Sequence, residues 1–118
     1  MTPAMEAPYH LAQAEAEKLL AAQGKDGLFI QLLQHGSMSV EYYAPKITDN
    51  QQPHRQDELY VIASGHGFFN RNGHTTACKT GDVLFVPAGM AHRFELFSAD
   101  FATWVIFYGP AGGEENKH

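Results

Sequence analysis

The sequence predicts an all-β sandwich or barrel with one short N-terminal helix, and three observations carry that prediction. Past Gly27 the chain is a succession of short runs rich in β-branched and aromatic residues. Turn-forming clusters separate those runs: His35-Gly36-Ser37, Thr48-Asp49-Asn50, Arg71-Asn72-Gly73 and Thr80-Gly81-Asp82. Only one segment, upstream of Gly27, has the composition of a helix.

That helix is predicted over about residues 8 to 23, within APYHLAQAEAEKLLAAQGKDG. Pro8 suits a first turn, where its missing N–H costs nothing, and Gly24 suits the stop. Leu11, Leu19 and Leu20 form a thin apolar stripe among alanines, so the helix is expected to pack on the surface of a core and not to build one. The strand-like runs follow in order: LFIQLLQ, SMSVEYYAP, ELYVIASG, GFFNRN, DVLFVP, HRFELFS and FATWVIFYG. Asn72-Gly73 is the strongest hairpin signal, because both residues tolerate the positive φ that a tight hairpin turn needs. The barrel is expected over about residues 28–109, and GPAGGEENKH is expected to leave residues 110–118 as a frayed tail.

Length and composition bound the possibilities. A chain of 118 residues fits one domain, 1–118, and 44% hydrophobic with 18% charged residues is ordinary for a globular protein. Cys78 is the only cysteine, so neither an intramolecular disulfide nor a zinc ribbon is possible, and a reducing compartment fits. With no export-like signal near Met1 and no apolar run of about 18 residues, a cytoplasmic location is expected and a membrane partner is not. The formal charge of -5 and singly scattered basic residues give no footprint for a phosphate backbone, so nucleic acid is not an expected partner.

Two stretches carry chemistry. In QQPHRQDELYVIASG, strand alternation from Gln52 onward would place Gln52, His54 and Glu58 on one face, together with Tyr60 and Ile62. A carboxylate looking into an apolar interior without a cation or donors costs several kcal/mol or takes up a proton. A metal removes that difficulty, while a solvated polar turn leading into the strand accounts equally for the segment taken alone. Downstream, GDVLFVPAGMAHRFE ends a strand at Pro87, turns at Gly89 and starts the next strand at His92. His92, Phe94 and Leu96 would share one face, with His92 at the mouth of the interior.

These two stretches resemble the paired motifs of the cupin superfamily, in its small single-domain (monocupin) conserved-barrel type. His54, Glu58 and Gly65 match the first motif, and Gly81, Pro87, Gly89 and His92 match the second. Lys46, Gln52 and Leu96 depart from it, standing where the family has glycine, histidine and asparagine. The resemblance implies a jelly-roll β-barrel and His54, Glu58 and His92 as ligands of one divalent transition metal. Gln52 stands at a fourth ligand position, where it either offers a weaker, harder amide oxygen or points away and leaves the place to water. Two histidines and a carboxylate suit zinc, iron, manganese or nickel, and composition does not select among them.

Other residues receive blander readings. His66 and His74 are expected to be solvated, Asp57 to face outward as a turn or salt-bridge residue, and Cys78 to be a small packed thiol. Tyr60, Phe94 and Trp104 are candidates to line a substrate pocket or to be core. Two functional readings follow from the resemblance. One is a small metalloenzyme acting on an oxygen-containing small molecule in a dioxygenase-like or isomerase-like way. The other is a non-catalytic small-molecule binding or sensing module whose metal site is structural or vacant. A homodimer is expected, because strands such as Leu59–Ala63 carry apolar side chains on both faces and the helix stripe is thin.

Overall fold

A computed structural model describes residues 10–23 and 28–115. One helix, α1 (Gln13–Ala22), precedes eight strands: β1 (Phe29–His35), β2 (Met38–Tyr43), β3 (Asp57–Ser64), β4 (His66–Arg71), β5 (His74–Lys79), β6 (Val83–Val86), β7 (His92–Glu95) and β8 (Ala102–Tyr108). The expected helix boundaries at Pro8 and Gly24 lie outside the described residues. β5 was not among the predicted runs. HTTACK is exposed at every position but Cys78, as suits an edge strand paired only to β4, so it lacks the apolar content that marks the others.

The strands form two antiparallel sheets, one ordered β1-β2-β8-β3-β6 and the other β5-β4-β7. The hairpin at Asn72-Gly73 joins β4 to β5 with φ of 54° and 87°, the left-handed pair a two-residue turn requires. Between the sheets lies the main core of Tyr60, Ile62, Phe69, Cys78, Val86, Phe94, Phe101 and Val105. A second cluster covers the outer face of the larger sheet, where Ala16 and Leu20 of α1 pack with Tyr42 and Ala102. The helix therefore packs on a core that the strands build, and its thin stripe suffices because only two of its residues are buried.

Gly65 shows why one motif position admits only glycine. Its φ is +78°, and a Cβ there would lie 2.8 Å from the Phe101 Cα. Three expectations are corrected by the fold. Leu96 does not continue the inward face of β7: the strand ends at Glu95, and Leu96 turns at φ 50° with 84% of its surface exposed. The segment after Tyr108 is docked through residue 114 and not frayed, since Gly112 N donates to Arg55 O (2.7 Å) and Glu114 N to Asp57 Oδ2 (2.8 Å). Asp57 is accordingly buried, not outward in solvent, and its other oxygen accepts from Ala88 N at 2.9 Å.

Candidate metal centre

Glu58 is the second residue of β3 and His92 the first of β7, so the two come from opposite sheets. His54 lies in the loop before β3. A backbone bond from Gly89 N to His54 O (2.8 Å) ties that loop to the turn that delivers His92, and Gly89 makes the turn at φ +80°. One donor atom from each of His54, Glu58 and His92 lies within 4.8 Å of the others. The ring centroids of the histidines are 5.3 Å apart.

The protonation logic of this cluster follows from its neighbours. His92 Nδ1 lies 2.9 Å from the Met90 carbonyl oxygen, which can only accept, so Nδ1 carries the proton. In the neutral ring, Nε2 is then a bare lone pair. It sits 3.2 Å from Glu58 Oε1, a second acceptor, with both side chains buried. This is an ion-pair distance, yet Glu58 Oε1, Glu58 Oε2 and His92 Nε2 are buried without a hydrogen-bond partner. Two facing acceptors out of water are costly unless something positive lies between them.

A proton or a metal ion would serve. Burial alone would lower the His92 pKa, but the Glu58 carboxylate and the Met90 carbonyl outweigh it and raise the value. His54 moves the other way: burial dominates and lowers it, against the opposing charge of Glu58. A cation at these donors fits their chemistry, two imidazoles and a carboxylate.

Behind the cluster runs a network that the sequence did not reveal. Asp49, buried in a loop, accepts from Tyr43 OH (2.6 Å), Gln51 N (3.2 Å), Gln51 Nε2 (2.7 Å) and Phe94 N (2.8 Å). With its Nε2 held by Asp49, the Gln51 amide must turn its oxygen to the site. That oxygen accepts from Tyr60 OH at 3.0 Å and lies 3.3 Å from His54 Nε2. Burial, followed by the charge of Glu58, keeps the Tyr60 hydroxyl protonated well above its ordinary range, so it remains a donor.

The other sequence-based candidates fall in different places. Gln52 is exposed, and Gln51 is the amide that the structure brings to His54. The physical reason is that extended strand begins at Asp57, so alternation counted back to Gln52 does not hold. Tyr60 stands at the site, and Phe94 packs edge-on against it at 4.9 Å within the core. Trp104 belongs to the outer face, edge-on to Tyr42 at 5.0 Å, and does not reach the centre. His66 and His74 are exposed, and Cys78 is a packed core thiol. A cavity of about 250 Å³ adjoins His54, lined by Phe29, Glu41, Tyr43, Gln51, Val105 and Phe107. Phe107 meets the His54 ring edge-on at 4.9 Å. The expected result is that Gln51→Ala weakens metal binding by roughly tenfold, the usual scale for a group supporting a ligand. Gln52→Ala should stay within about twofold, since its side chain is solvated. Zinc titration of the two variants checks the ranking, which fails if Gln52→Ala is the more damaging.

Comparison with known proteins agrees with this architecture. Residues 39–108 match the Cupin domain family (Cupin_2). The chain is 38% identical over 104 residues to an uncharacterized protein of Streptomyces coelicolor, covering 86% of this chain and 95% of that one. The chain therefore belongs to the cupin family, whose members commonly bind a transition metal. It is also 28% identical over 115 residues to the acireductone dioxygenase of Enterobacter sp. (strain 638), covering 93% of this chain but spanning only 63% of that enzyme's length. Among solved structures, a cupin-2 domain containing protein from Shewanella frigidimarina aligns with a TM-score of 0.63 at 10% identity, covering 79% of this chain and 91% of that one. A cupin superfamily protein from Desulfitobacterium hafniense aligns with a TM-score of 0.58 at 20% identity, covering 69% and 75%. At such identities the likeness is one of fold.

Proposed function

We propose that this cupin holds one divalent transition metal through His54, Glu58 and His92 and acts on an oxygen-containing small molecule, in a dioxygenase-like or isomerase-like manner. The observation that carries the reading is the pair of buried, facing acceptors, Glu58 Oε1 and His92 Nε2, 3.2 Å apart and without hydrogen bonds. Similarity to acireductone dioxygenase at 28% identity supports the oxygen-chemistry reading, and the cavity beside His54 gives a small molecule a place to bind. When bound, the metal would polarise a ligand oxygen or, if redox-active, take dioxygen. The chain's own residues do the rest. Met90 O fixes the His92 tautomer, Tyr60 offers a hydroxyl behind the cluster, and Phe29, Val105 and Phe107 give the cavity an apolar wall.

Metal analysis of the chain purified without a histidine tag tests the proposal, with about one equivalent per chain expected. Less than a tenth of an equivalent, with no uptake of added zinc, manganese or iron, would overturn it. The affinity should also depend on pH in a set direction. The His92 pKa is raised in the metal-free protein, so a proton competes for Nε2, and apparent affinity should fall as pH drops through that raised value. For the metal-free fold the sign is opposite. The stability due to the His92–Glu58 pair is fully present below the ordinary histidine pKa and is lost as pH rises through the raised one.

We also propose that the chain forms a homodimer. Phe29 on the edge strand β1 is 55% exposed, and Val83 on the edge strand β6 is 62% exposed, so apolar surface remains at both borders of the larger sheet. Light scattering at micromolar concentration should give twice the 13.1 kDa of one chain. A single-chain mass that does not change on tenfold concentration would exclude it.

A further inference from the structure

Glu41 is a carboxylate that nothing among the described residues accounts for. On β2, alternation sends Tyr42 to the outer cluster under α1 and sends Glu41 and Tyr43 to the inner side, where they line the cavity beside His54. Glu41 is half-buried, and among the described residues no hydrogen bond or ion pair is made to its carboxylate. The strands that flank it in the sheet give it Val105 on β8 and Gln31 on β1 as register partners, so no cation is supplied from either side.

The rest of the cavity sharpens what could meet that carboxylate. Its wall is largely apolar, from Phe29, Val105 and Phe107, and among the described residues it holds no lysine or arginine. The nearby carboxylate adds to this: Glu58 lies close enough to raise the Glu41 pKa, though burial is the larger cause. Asp49 acts on His54 with the same sign of charge as Glu58. Among the described residues Glu41 thus meets its ligand as an acceptor without a partner. An anionic group placed against it would be repelled, and a group without a donor would leave it unsatisfied.

We propose that Glu41 selects the ligand of this cavity, taking the hydrogen-bond donor, a hydroxyl or an N–H, of a small uncharged molecule whose apolar body lies along Phe107 and Val105. This rests on the reading of the cavity as the small-molecule site and goes beyond it by naming the class of molecule and the residue that chooses it. The carboxylate acts as a specificity residue, and phosphorylated or carboxylated compounds are disfavoured next to it.

The test uses the full ¹⁵N-labelled chain, both zinc-loaded and stripped with EDTA, and three probes of similar shape: benzamide, methyl benzoate and benzoate. Benzamide has an N–H donor, methyl benzoate has none, and benzoate carries a negative charge. The charge comparison is made on stripped protein, so that coordination to zinc does not hold benzoate. Benzamide is expected to shift the amide signals of Tyr43, Val105 and Phe107 and to bind about tenfold more tightly than either other probe, the scale of one hydrogen bond to a charged acceptor. Glu41→Leu should bring benzamide down to parity with methyl benzoate. Glu41→Gln, which keeps the size and removes the charge, should raise benzoate affinity several-fold. Dispersed spectra for both variants show that the fold is kept. Benzoate binding the unaltered cavity as tightly as benzamide, an unchanged order of probes in Glu41→Leu, or no shift at the cavity residues with any probe would each overturn the inference. Glu41-dependent selection in a chain that takes up no zinc would overturn the metal reading alone. Zinc uptake without that selection would overturn this one alone.

Discussion

Replacing His92 by alanine is expected to lower zinc affinity on the order of a hundredfold or more and to leave protein purified without a tag nearly metal-free. The ring supplies the one nitrogen whose lone pair is fixed toward the cluster by a bond from Nδ1 to the Met90 carbonyl. Nothing nearby can replace it, because its position depends on the turn at Gly89 and the first residue of β7. His54→Ala should have a similar effect through the loss of a second imidazole. His74→Ala is the control: it is exposed at the β4–β5 turn and stands outside the cluster, so its metal content should equal that of the unaltered chain. Equal metal content in all three variants would sink the assignment. His92→Ala also leaves the Glu58 carboxylate, 1% exposed, without its neighbour, so this variant should lose stability.

Much of this cluster was legible in the sequence because its residues are placed by local rules. Pro87 ends β6 one residue after Val86, Gly89 turns, and His92 opens β7, each a consequence of what the side chain or its absence permits. Glu58 was placed inward by the alternation it shares with Tyr60 and Ile62, and all three are buried. The same rule misled at Gln52, since it was applied across a loop that lies ahead of the strand, and the neighbouring Gln51 took the inward place. Trp104 was ambiguous for a different reason. α1 covers the outside of the larger sheet, so β8 is apolar on both faces, and hydrophobicity cannot tell Trp104 on one side from Val105 on the other. Asp57 was misread because its burial comes from chain far away in sequence, the turn at Ala88 and the segment at Glu114. Long-range hydrogen bonds of that kind leave no periodic trace.

Asp49 is the extreme case of such a residue, and its replacement is expected to have the largest effect on stability. It reads as part of a polar turn, yet it is buried and accepts four hydrogen bonds, one of them from the backbone of Phe94. Asp49→Ala would strand the Tyr43 hydroxyl, the Phe94 amide and both Gln51 donors. At about 1–3 kcal/mol for each buried donor left unpaired, with some relief from entering water, a loss of about 3–5 kcal/mol is expected. For a chain of this size that corresponds to a fall in Tm of roughly 10–20 °C. Asp49→Asn distinguishes hydrogen bonding from packing. It keeps the volume, but whichever oxygen becomes an NH₂ then faces donors, either Tyr43 OH and Gln51 N or Phe94 N and Gln51 Nε2. Asparagine should therefore be nearly as damaging as alanine. Asn50→Ala, next in sequence but exposed, should change stability by no more than about 0.5 kcal/mol. Thermal denaturation of the three variants decides the matter, and an Asp49→Asn protein as stable as the unaltered chain would show that Asp49 matters for its shape alone. Where Asp49→Asn remains folded, its zinc affinity should also fall. The Gln51 amide would lose the acceptor that fixes which of its ends faces Tyr60 and His54.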